Sequence, residues 1–432
     1  MITETAELKI LSKYYEKAYE MGKTSRICLK YILVVGDGMS DVALIDLGSK
    51  TPLQVARHPH MDLIASNGLT GLLKTIPPGS IPGTDTAFLS IFGCDPSRLD
   101  TGRGPLEAAG LGVDLNKNDL ALRCNLVTVI NGVLTDHSGG HISTIEARDM
   151  LESLKDHFEE SRFIEFYPGV SYRHLLVLRG ATHSDRILCT PPHDAINTTV
   201  NSILVKAVHE MGASTAEMLN KIIMDSYKLL KNHPVNFARI RSGKNPANMM
   251  WPWGQGRRPN IQSFEKKFGI RGAVISAVDI VNGIGRYLKM DLVKVPGVTG
   301  YYDTNYEGKA DYLLKSLNDH DFVLVHIEAP DEASHVGDSQ LKVKTIEDID
   351  NRLLGRILDG LTEDYTIAIL PDHTTQTTDG THSRSPVPFA LYSDKGGEGD
   401  KVKRYDEESV KEGSLGIVEG NRFLNLFLKQ SG

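Results

Sequence analysis

Acidic residues follow three short apolar segments that lie far apart in the sequence. The segments are Tyr31 to Val35, Phe322 to Ile327 and Thr366 to Leu370. Such continuous apolar runs are typical of strands buried on both faces of a sheet. Asp37 follows the first segment, Asp331 the second and Asp372 the third. Because ligands bind beyond the carboxyl ends of parallel strands in open α/β sheets, we expect these three carboxylates to converge.

Histidines accompany two of these acidic loops. His335 lies four residues after Asp331, a spacing that one helical turn would bring onto the same face, and His373 is adjacent to Asp372. His382 follows in a proline-containing segment that should be extended. Three aspartates and three histidines suit two divalent cations, and the residue types do not distinguish manganese, zinc and magnesium. The alternative is that the histidines cap helices and the acids are solvated.

A hydroxyl group stands where a nucleophile would be needed. Thr84 precedes the apolar stretch from Phe88 to Phe92, which predicts a short helix that begins at Thr84. A hydroxyl at this place lies at the positive end of the helix dipole, and metal coordination would favour its alkoxide. On local sequence alone, a threonine that caps the helix is the more common arrangement. Capping and nucleophilic attack do not exclude each other.

The overall composition limits the classes of partner that the protein could have. The chain has 432 residues and a formal net charge of -7, which gives no basic footprint for nucleic acid. Its four cysteines form no CxxC pair, and no apolar run reaches the roughly 18 residues of a membrane span. We therefore expect a cytoplasmic protein with no nucleic-acid or membrane partner. The sequence leaves a homo-oligomer open.

The organisation along the chain predicts an α/β fold with an insert. We expect a helical extension over residues 1–30, a discontinuous metal-binding domain over 31–118 and 296–432, and an inserted α+β domain over 119–295 that closes on substrate. The spacing of Ile346, Ile349, Leu353 and Ile357 predicts a helix over 343–361, after the second acidic loop. The core sheet should be mainly parallel and flanked by helices.

An ordered series of motifs gives a resemblance to a known family. The motifs are GDGMSD, PGTDTAFLSIFGCDP, TGRGPLEAAG, TNYEGKA, EAPDEASHVGD and PDHTTQTTDGTHSRSPVP. Together they resemble the cofactor-independent phosphoglycerate mutases of the archaeal type, within the alkaline phosphatase superfamily. The resemblance implies an alkaline-phosphatase-like core, two divalent ions, most readily Mn2+, and no requirement for 2,3-bisphosphoglycerate. It also implies interconversion of 3-phosphoglycerate and 2-phosphoglycerate.

The resemblance implies a role for each site residue. Asp37, Thr84, Asp372 and His373 match the ligands of one metal ion, and Asp331, His335 and His382 match those of the other. Thr84 also matches the residue that becomes phosphorylated, although the family carries serine at this position and threonine nucleophiles occur in related phosphodiesterases. Lys309, in TNYEGKA, would meet the phosphoryl group.

Two assignments stay open at this level. The glycerate carboxylate calls for planar bidentate donors, for which Arg173, Arg257 and Arg286 are the candidates. The same metal and nucleophile residues would also serve a phosphatase or phosphodiesterase of the superfamily. A homoserine kinase-like phosphotransferase is a further alternative within the family, although the chain has no G-x-x-x-x-G-K-[ST] loop.

Overall fold

A computed structural model describes residues 29–96, 102–158, 162–396, 399–400 and 402–429. The predicted N-terminal extension over residues 1–30 lies outside the described residues except for Leu29 and Lys30, and Lys30 already belongs to the first strand.

The large sheet has eight strands and is mainly parallel. Its order across the sheet is Asp291–Leu292, Gly272–Ile275, Phe322–Ile327, Lys30–Gly36, Tyr365–Leu370, Val387–Ser393, Leu69–Lys74 and Ile417–Glu419. Only Val387–Ser393 runs antiparallel to its two neighbours. The three predicted strands are confirmed. Strand Lys30–Gly36 lies between Phe322–Ile327 and Tyr365–Leu370 and is parallel to both.

Both faces of the large sheet are covered, which explains why its central strands are mostly apolar. Ile32 and Val34 belong to the hydrophobic core on one face, and Leu33 and Val35 belong to the core on the other. This alternation follows from the two-residue period of a strand. The α/β class with a mainly parallel sheet is therefore confirmed.

Helices lie around the large sheet. They are Pro52–Val55, Pro59–Asn67, Thr84–Ile91, Arg103–Leu111, Phe264–Phe268, Asp279–Tyr287, Tyr306–Ser316, Ala329–His335, Ser339–Asp348, Gly355–Gly360 and Gly420–Phe427. The helix predicted over 343–361 is present as Ser339–Asp348 and Gly355–Gly360, joined by a π-helical segment, Ile349–Leu354. Its four predicted core residues are all buried.

A second, smaller sheet is antiparallel. Its strands are Leu120–Ile130, Val133–Asp136, Ile164–Tyr167, Arg173–Leu178, Thr198–Thr199 and Met249–Gly256. The helices Thr144–Phe158, Ala213–Leu230 and Pro234–Arg241 accompany it. This sheet has a separate hydrophobic core, which includes the buried Trp251.

One helix links the two sheets. Arg103–Leu111 packs against the small-sheet strands Leu120–Ile130 and Met249–Gly256 and against helix Asp279–Tyr287 beside the large sheet. The approach of the two helices is close, since a Cβ at Gly283 would overlap the carbonyl oxygen of Leu106. Residues near the start of this helix are therefore held between the two sheets.

The boundary of the predicted insert needs one correction. Strands Gly272–Ile275 and Asp291–Leu292 fall within the predicted range 119–295, yet they belong to the large sheet, where Gly272–Ile275 pairs with Phe322–Ile327. The small sheet ends with strand Met249–Gly256. Short, half-apolar strands at the edge of a sheet resemble those of a separate α+β unit in sequence, which explains the error. The rest of the domain division stays a prediction.

Within the residues that the structure describes, no helix is long and apolar enough to cross a membrane.

Candidate metal centre and active site

The predicted convergence at the strand ends is present. Asp37 directly follows strand Lys30–Gly36, and Asp372 follows Tyr365–Leu370. Asp331 lies in helix Ala329–His335, which follows Phe322–Ile327. Since these three strands are adjacent and parallel, their carboxyl ends bring the three acids to one edge of the sheet.

One set of predicted ligands is fully buried, and we call Asp37, Asp372 and His373 the inner ligand set. The Nε2 atom of His373 lies 3.3 Å from Asp37 Oδ1 and 3.4 Å from Asp372 Oδ2. Their side chains have no exposed surface. Asp372 Oδ1 accepts hydrogen bonds from the backbone amides of Gly38 and His373, so the backbone fixes its orientation.

The other set is partly open to solvent, and we call Asp331, His335 and His382 the outer ligand set. His335 Nε2 lies 3.1 Å from Asp331 Oδ2, across the one helical turn that the spacing predicted. His382 Nε2 lies 3.5 Å from Asp331 Oδ1 and 3.3 Å from His335 Nε2. His382 lies in a short strand that pairs with Thr374–Thr375. Extended backbone was predicted for this segment and is confirmed.

The two sets touch each other. The ring of His382 stacks on His373 with centroids 4.2 Å apart. The hydroxyl of Thr375 donates to Asp331 Oδ1 at 2.6 Å and lies 3.1 Å from His373 Nδ1. Gly38 lies in contact with this bridge, with a φ of +56°, and a Cβ there would be 2.5 Å from both Asp331 Oδ1 and Thr375 Oγ1. Only glycine therefore fits this position.

Thr84 lies beside the inner ligand set. Its Oγ1 lies 3.4 Å from Asp37 Oδ2 and 3.4 Å from His373 Nε2. It is the first residue of helix Thr84–Ile91, as predicted, and the N-cap is Gly83. The reading of Thr84 as the side-chain cap is therefore wrong, and its hydroxyl is directed towards the carboxylate and imidazole groups instead.

The donor atoms fit divalent cations. Asp37 Oδ1 and Asp372 Oδ2 are buried and have no hydrogen-bond partner among the described residues, and the same is true of Glu328 Oε2. A buried carboxylate oxygen without a partner is costly, and a cation would satisfy it. Two groups of close donor atoms involve the two ligand sets: Asp331 with His335 and His382, and Asp37 with Asp331 and His373.

The electrostatics of the cluster also favour cations. Burial raises the pKa of Asp37 well above its usual value, and the charges of Asp372, Glu328 and Asp331 raise it further. Burial and the charge of Asp331 raise the pKa of Glu328 to about 8. Although burial alone would raise the pKa of Asp331, hydrogen bonds with His335 and His382 hold it well below its usual range. Bound cations would relieve this crowding of negative charge.

Two polar residues of the cluster were not identified as site residues from the sequence. His326 Nε2 lies 2.9 Å from Asp37 Oδ2, and Glu328 Oε2 lies 3.7 Å from the same His326 nitrogen. Burial and the nearby ammonium of Lys309 lower the pKa of His326 well below its usual value, so the imidazole is neutral. The available signal was a lone histidine inside an otherwise apolar strand that leads into an acidic loop.

Lys309 lies beneath this cluster rather than in an open cleft. Its side chain is buried, and Nζ donates to the backbone carbonyl of His326 at 2.8 Å. Burial lowers the pKa of Lys309 to about 8, against the opposing charge of Glu328.

The three predicted arginines occupy different surroundings. Arg173 is exposed and lies over the ring of Tyr172. Burial raises the pKa of Asp279 and of Glu332, and the positive charge of Arg173 opposes both rises. Arg257 pairs with Asp185 and donates to two backbone carbonyls. These contacts favour a structural role for Arg257.

Arg286 lies at the far end of the linking helix. Its guanidinium lies against Gly112, the residue that ends helix Arg103–Leu111. This contact also favours a structural role.

Two further arginines accompany Arg173, and we call Arg103, Arg123 and Arg173 the arginine group. The guanidinium carbons of Arg103 and Arg123 lie 5.7 and 5.1 Å from the ring centroid of Trp253. Burial lowers the pKa of Arg123, as do the charges of Arg103 and Arg173, although its partner Glu107 opposes this. Arg103 also lies close to Gly83, since a Cβ there would be 3.2 Å from its Nη2.

The fold and the site together define the class of protein: an α/β protein with a candidate site for divalent cations. The chain is an α/β protein with a mainly parallel sheet, and a cluster of carboxylates and imidazoles suited to divalent cations surrounds a hydroxyl group at its carboxyl edge.

Comparison with known proteins identifies the family. Residues 65–236 match the family model of 2,3-bisphosphoglycerate-independent phosphoglycerate mutase.

Full-length relatives agree with this match. The 2,3-bisphosphoglycerate-independent phosphoglycerate mutase of Methanosarcina acetivorans is 46% identical over 404 residues, which cover 93% of this chain and 100% of the relative. A Geobacter sulfurreducens protein named as a probable enzyme of the same kind is 45% identical, with 93% and 100% covered. The chain therefore belongs to the family of 2,3-bisphosphoglycerate-independent phosphoglycerate mutases.

Solved structures share the fold. A Pyrococcus horikoshii protein superposes with a TM-score of 0.78 at 31% identity, covering 93% of this chain and 97% of that one. The cofactor-independent phosphoglycerate mutase of Thermoplasma acidophilum gives a TM-score of 0.65 at 31% identity, covering 94% and 100%.

Proposed function

We propose that the chain is a metal-dependent phosphoglycerate mutase that interconverts 3-phosphoglycerate and 2-phosphoglycerate through a phosphothreonine at Thr84. The observation that carries this proposal is the placement of the Thr84 hydroxyl, 3.4 Å from both Asp37 and His373 of the inner ligand set. The names of the relatives supply the substrate.

The metal ions are part of the proposal. Asp37, Asp372 and His373 would hold one ion together with Thr84, and the outer ligand set would hold the other. Oxygen and imidazole donors without thiolates suit Mn2+, which we propose as the native metal, and Zn2+ or Mg2+ could use the same donors. When bound, such ions supply positive charge that favours the ionised hydroxyl and stabilises charge on the transferring group.

The reaction is a transfer in two balanced steps. In the first, the Thr84 hydroxyl loses its proton and forms a bond to phosphorus, the bond from phosphorus to the 3-oxygen breaks, and the glycerate oxygen takes up a proton. In the second, the 2-hydroxyl of the same glycerate loses its proton and forms a bond to phosphorus, the bond from phosphorus to Thr84 Oγ1 breaks, and Thr84 takes up a proton. No net phosphate, water or 2,3-bisphosphoglycerate is consumed.

The arginine group is our proposed site for the glycerate carboxylate. Arg103 lies near Gly83, next to the proposed nucleophile, and shares the face of Trp253 with Arg123. Arg173 stands on the small sheet and acts electrostatically on Glu332 of the large-sheet side. Guanidinium groups from the small sheet and from the linking helix would together hold an anionic substrate.

The remaining predicted substrate residues have weaker support. Lys309 would act on the phosphoryl group only from beneath the cluster, through its positive charge, because its ammonium is buried and bonded to a backbone carbonyl. Substrate binding by Arg257 and Arg286 stays a prediction. We also propose that the enzyme acts in the cytoplasm.

The decisive experiment is a mutase assay on purified protein after removal of metals with a chelator. We expect 31P NMR to show no conversion of 3-phosphoglycerate in the chelated protein and full conversion to the equilibrium mixture after Mn2+ is added. Added 2,3-bisphosphoglycerate should not raise the rate. Release of inorganic phosphate as the main product would favour a hydrolase instead, and phosphorylation of homoserine by ATP would favour a kinase.

The arginine group can be tested in the same assay. Replacement Arg173→Ala should lower kcat/KM for 3-phosphoglycerate by about 10- to 100-fold, mainly through KM, because a charged hydrogen bond is worth about 1.5–3 kcal/mol. Arg241, exposed on a helix of the small-sheet side, provides the control Arg241→Ala, which should leave kcat/KM unchanged. Equal effects of the two variants would refute the assignment.

A further inference from the structure

A buried histidine without an assigned role contacts a proposed metal ligand. His326 is fully buried near the end of strand Phe322–Ile327, and its Nε2 atom lies 2.9 Å from Asp37 Oδ2. The other oxygen of this carboxylate, Oδ1, faces His373 and has no hydrogen-bond partner among the described residues. Asp37 thus directs Oδ1 towards His373, while its Oδ2 lies against both His326 and the Thr84 hydroxyl.

The second nitrogen of the ring has its own partner, Ser276. The Nδ1 atom of His326 lies 3.1 Å from Ser276 Oγ, which also accepts a hydrogen bond from the backbone amide of Val278 at 3.0 Å. Because that amide is a donor, the Ser276 hydroxyl hydrogen is free to point at Nδ1. The contact therefore suits a ring whose Nδ1 is the acceptor.

An ionised Asp37 requires the same tautomer. At 2.9 Å, an unprotonated Nε2 would set its lone pair against the carboxylate, whereas a protonated Nε2 donates to it. A ring with its hydrogen on Nε2 therefore satisfies both the Ser276 hydroxyl and an ionised Asp37.

The ring also contacts the helix that carries the nucleophile. Phe88, in helix Thr84–Ile91, meets the imidazole of His326 edge to face, with ring centroids 5.3 Å apart. The same side chain therefore fixes the carboxylate of Asp37 and supports the helix whose first residue is Thr84.

We infer that His326, whose two ring nitrogens contact Ser276 and Asp37, is a positioning residue that orients Asp37 for the inner metal ion. This inference rests on the proposed function, because it takes Asp37 as a metal ligand. Partners that orient a metal ligand raise metal affinity by about 10- to 100-fold. In the competing arrangement, Asp37, His326 and Glu328 bind a third cation themselves, and Nε2 would then have to give up its hydrogen and its hydrogen bond to Asp37.

The test measures metal binding rather than turnover. Chelated wild-type protein and variants are titrated with Co2+ by calorimetry and visible absorption, and Asp37→Asn and His335→Ala identify the inner and outer ions. His326→Leu removes the donor, and His326→Gln keeps an amide donor near the position of Nε2. We expect His326→Leu to weaken the inner ion about 10- to 100-fold, with the outer ion within about twofold, and His326→Gln to restore most of the affinity.

Controls separate positioning from a general loss of structure. His58 is a buried histidine bonded to the Leu53 carbonyl and Asp62, so His58→Leu should lower thermal stability without changing either Co2+ affinity. If His326→Leu does not fold, Ser276→Ala provides the test, since it removes only the hydroxyl partner and should weaken the inner ion alone.

The possible outcomes distinguish the His326 inference from a third cation site and from failure of the proposed metal site. Wild-type affinity for both ions in His326→Leu or in Ser276→Ala would overturn the inference, as would a third Co2+ per chain that is lost in His326→Leu. If instead Asp37→Asn leaves Co2+ binding unchanged, the proposed metal site itself is wrong, and the result is distinguishable from failure of the His326 inference alone.

Discussion

The two proposed ligand sets use the same residue types in opposite surroundings. The side chains of Asp37, Asp372 and His373 are completely buried, whereas those of His335 and His382 are 41% and 22% exposed. Backbone amides orient Asp372 of the inner set, whereas His335 and His382 of the outer set contact each other and Asp331. We infer that the inner set would hold its ion rigidly beside the proposed nucleophile, whereas the outer set is the part of the site that is open to solvent.

The largest expected effect separates chemistry from metal binding at the inner set. Thr84→Ala should lower transfer by at least about 10^3-fold, because removal of a nucleophile costs that much or more in hydrolases. Both ions should still bind, since the carboxylates and imidazoles remain. Thr84→Ser should keep or raise activity, as it retains the hydroxyl at the same helix terminus.

The assay of these variants combines 31P NMR with Co2+ titration. Unchanged transfer in Thr84→Ala would refute the assignment of the nucleophile. Loss of the inner ion alone from that variant would mean that Thr84 is chiefly a ligand, and the variant would then not separate chemistry from metal binding.

The contrast between the sets predicts that a variant in each set weakens a different ion and that only the inner variant can raise the melting temperature of the metal-free protein. Asp372→Asn keeps the Oδ1 acceptor used by two backbone amides but removes a charge that raises the pKa of Asp37. It should weaken the inner ion about 10- to 100-fold while the melting temperature of the chelated protein stays constant or rises. His382→Ala should weaken the outer ion with little effect on the melting temperature, because its side chain is partly exposed.

Calorimetric melting with and without Mn2+ measures both effects. A large loss of stability in metal-free Asp372→Asn would contradict the view that the buried carboxylates repel each other. Equal responses of the two variants would remove the distinction between inner and outer sets.

The smallest effect concerns the pH dependence of the metal-free protein. Burial and the charge of Asp331 raise the pKa of Glu328 from 4.5 to about 8. Between these values the folded chain holds a proton that the unfolded chain has released, so this group's contribution to stability falls as the pH rises. We expect the melting temperature of the chelated protein to fall from pH 5.5 to pH 8, and to fall less in Glu328→Gln.

Added Mn2+ should reduce or reverse this fall, because cations favour the ionised carboxylates. Glu412, which is exposed, supplies the control Glu412→Gln, for which the slope should match that of the wild type. An identical slope in Glu328→Gln would show that Glu328 is not the group that titrates.

Much of the site could be predicted because short segments of the sequence determine where its residues lie. Buried parallel strands need continuous apolar residues, and the acids that follow such strands must lie at the carboxyl edge of the sheet. The placement of Asp37 and Asp372 at that edge therefore follows from the order of residues along the chain. The same holds for Asp331 and His335, whose separation is one helical turn, and for the helix that begins at Thr84.

The tertiary structure alone decided which further groups surround these residues. His326 contacts Asp37 from 289 positions away, and Arg103 reaches the edge of the nucleophile helix because its own helix packs between two sheets. Strand Gly272–Ile275 joins the large sheet through pairing with Phe322–Ile327, which its short sequence does not specify. Periodicity specifies which face of an element is buried, but only the packing of distant elements determines which partners that face meets.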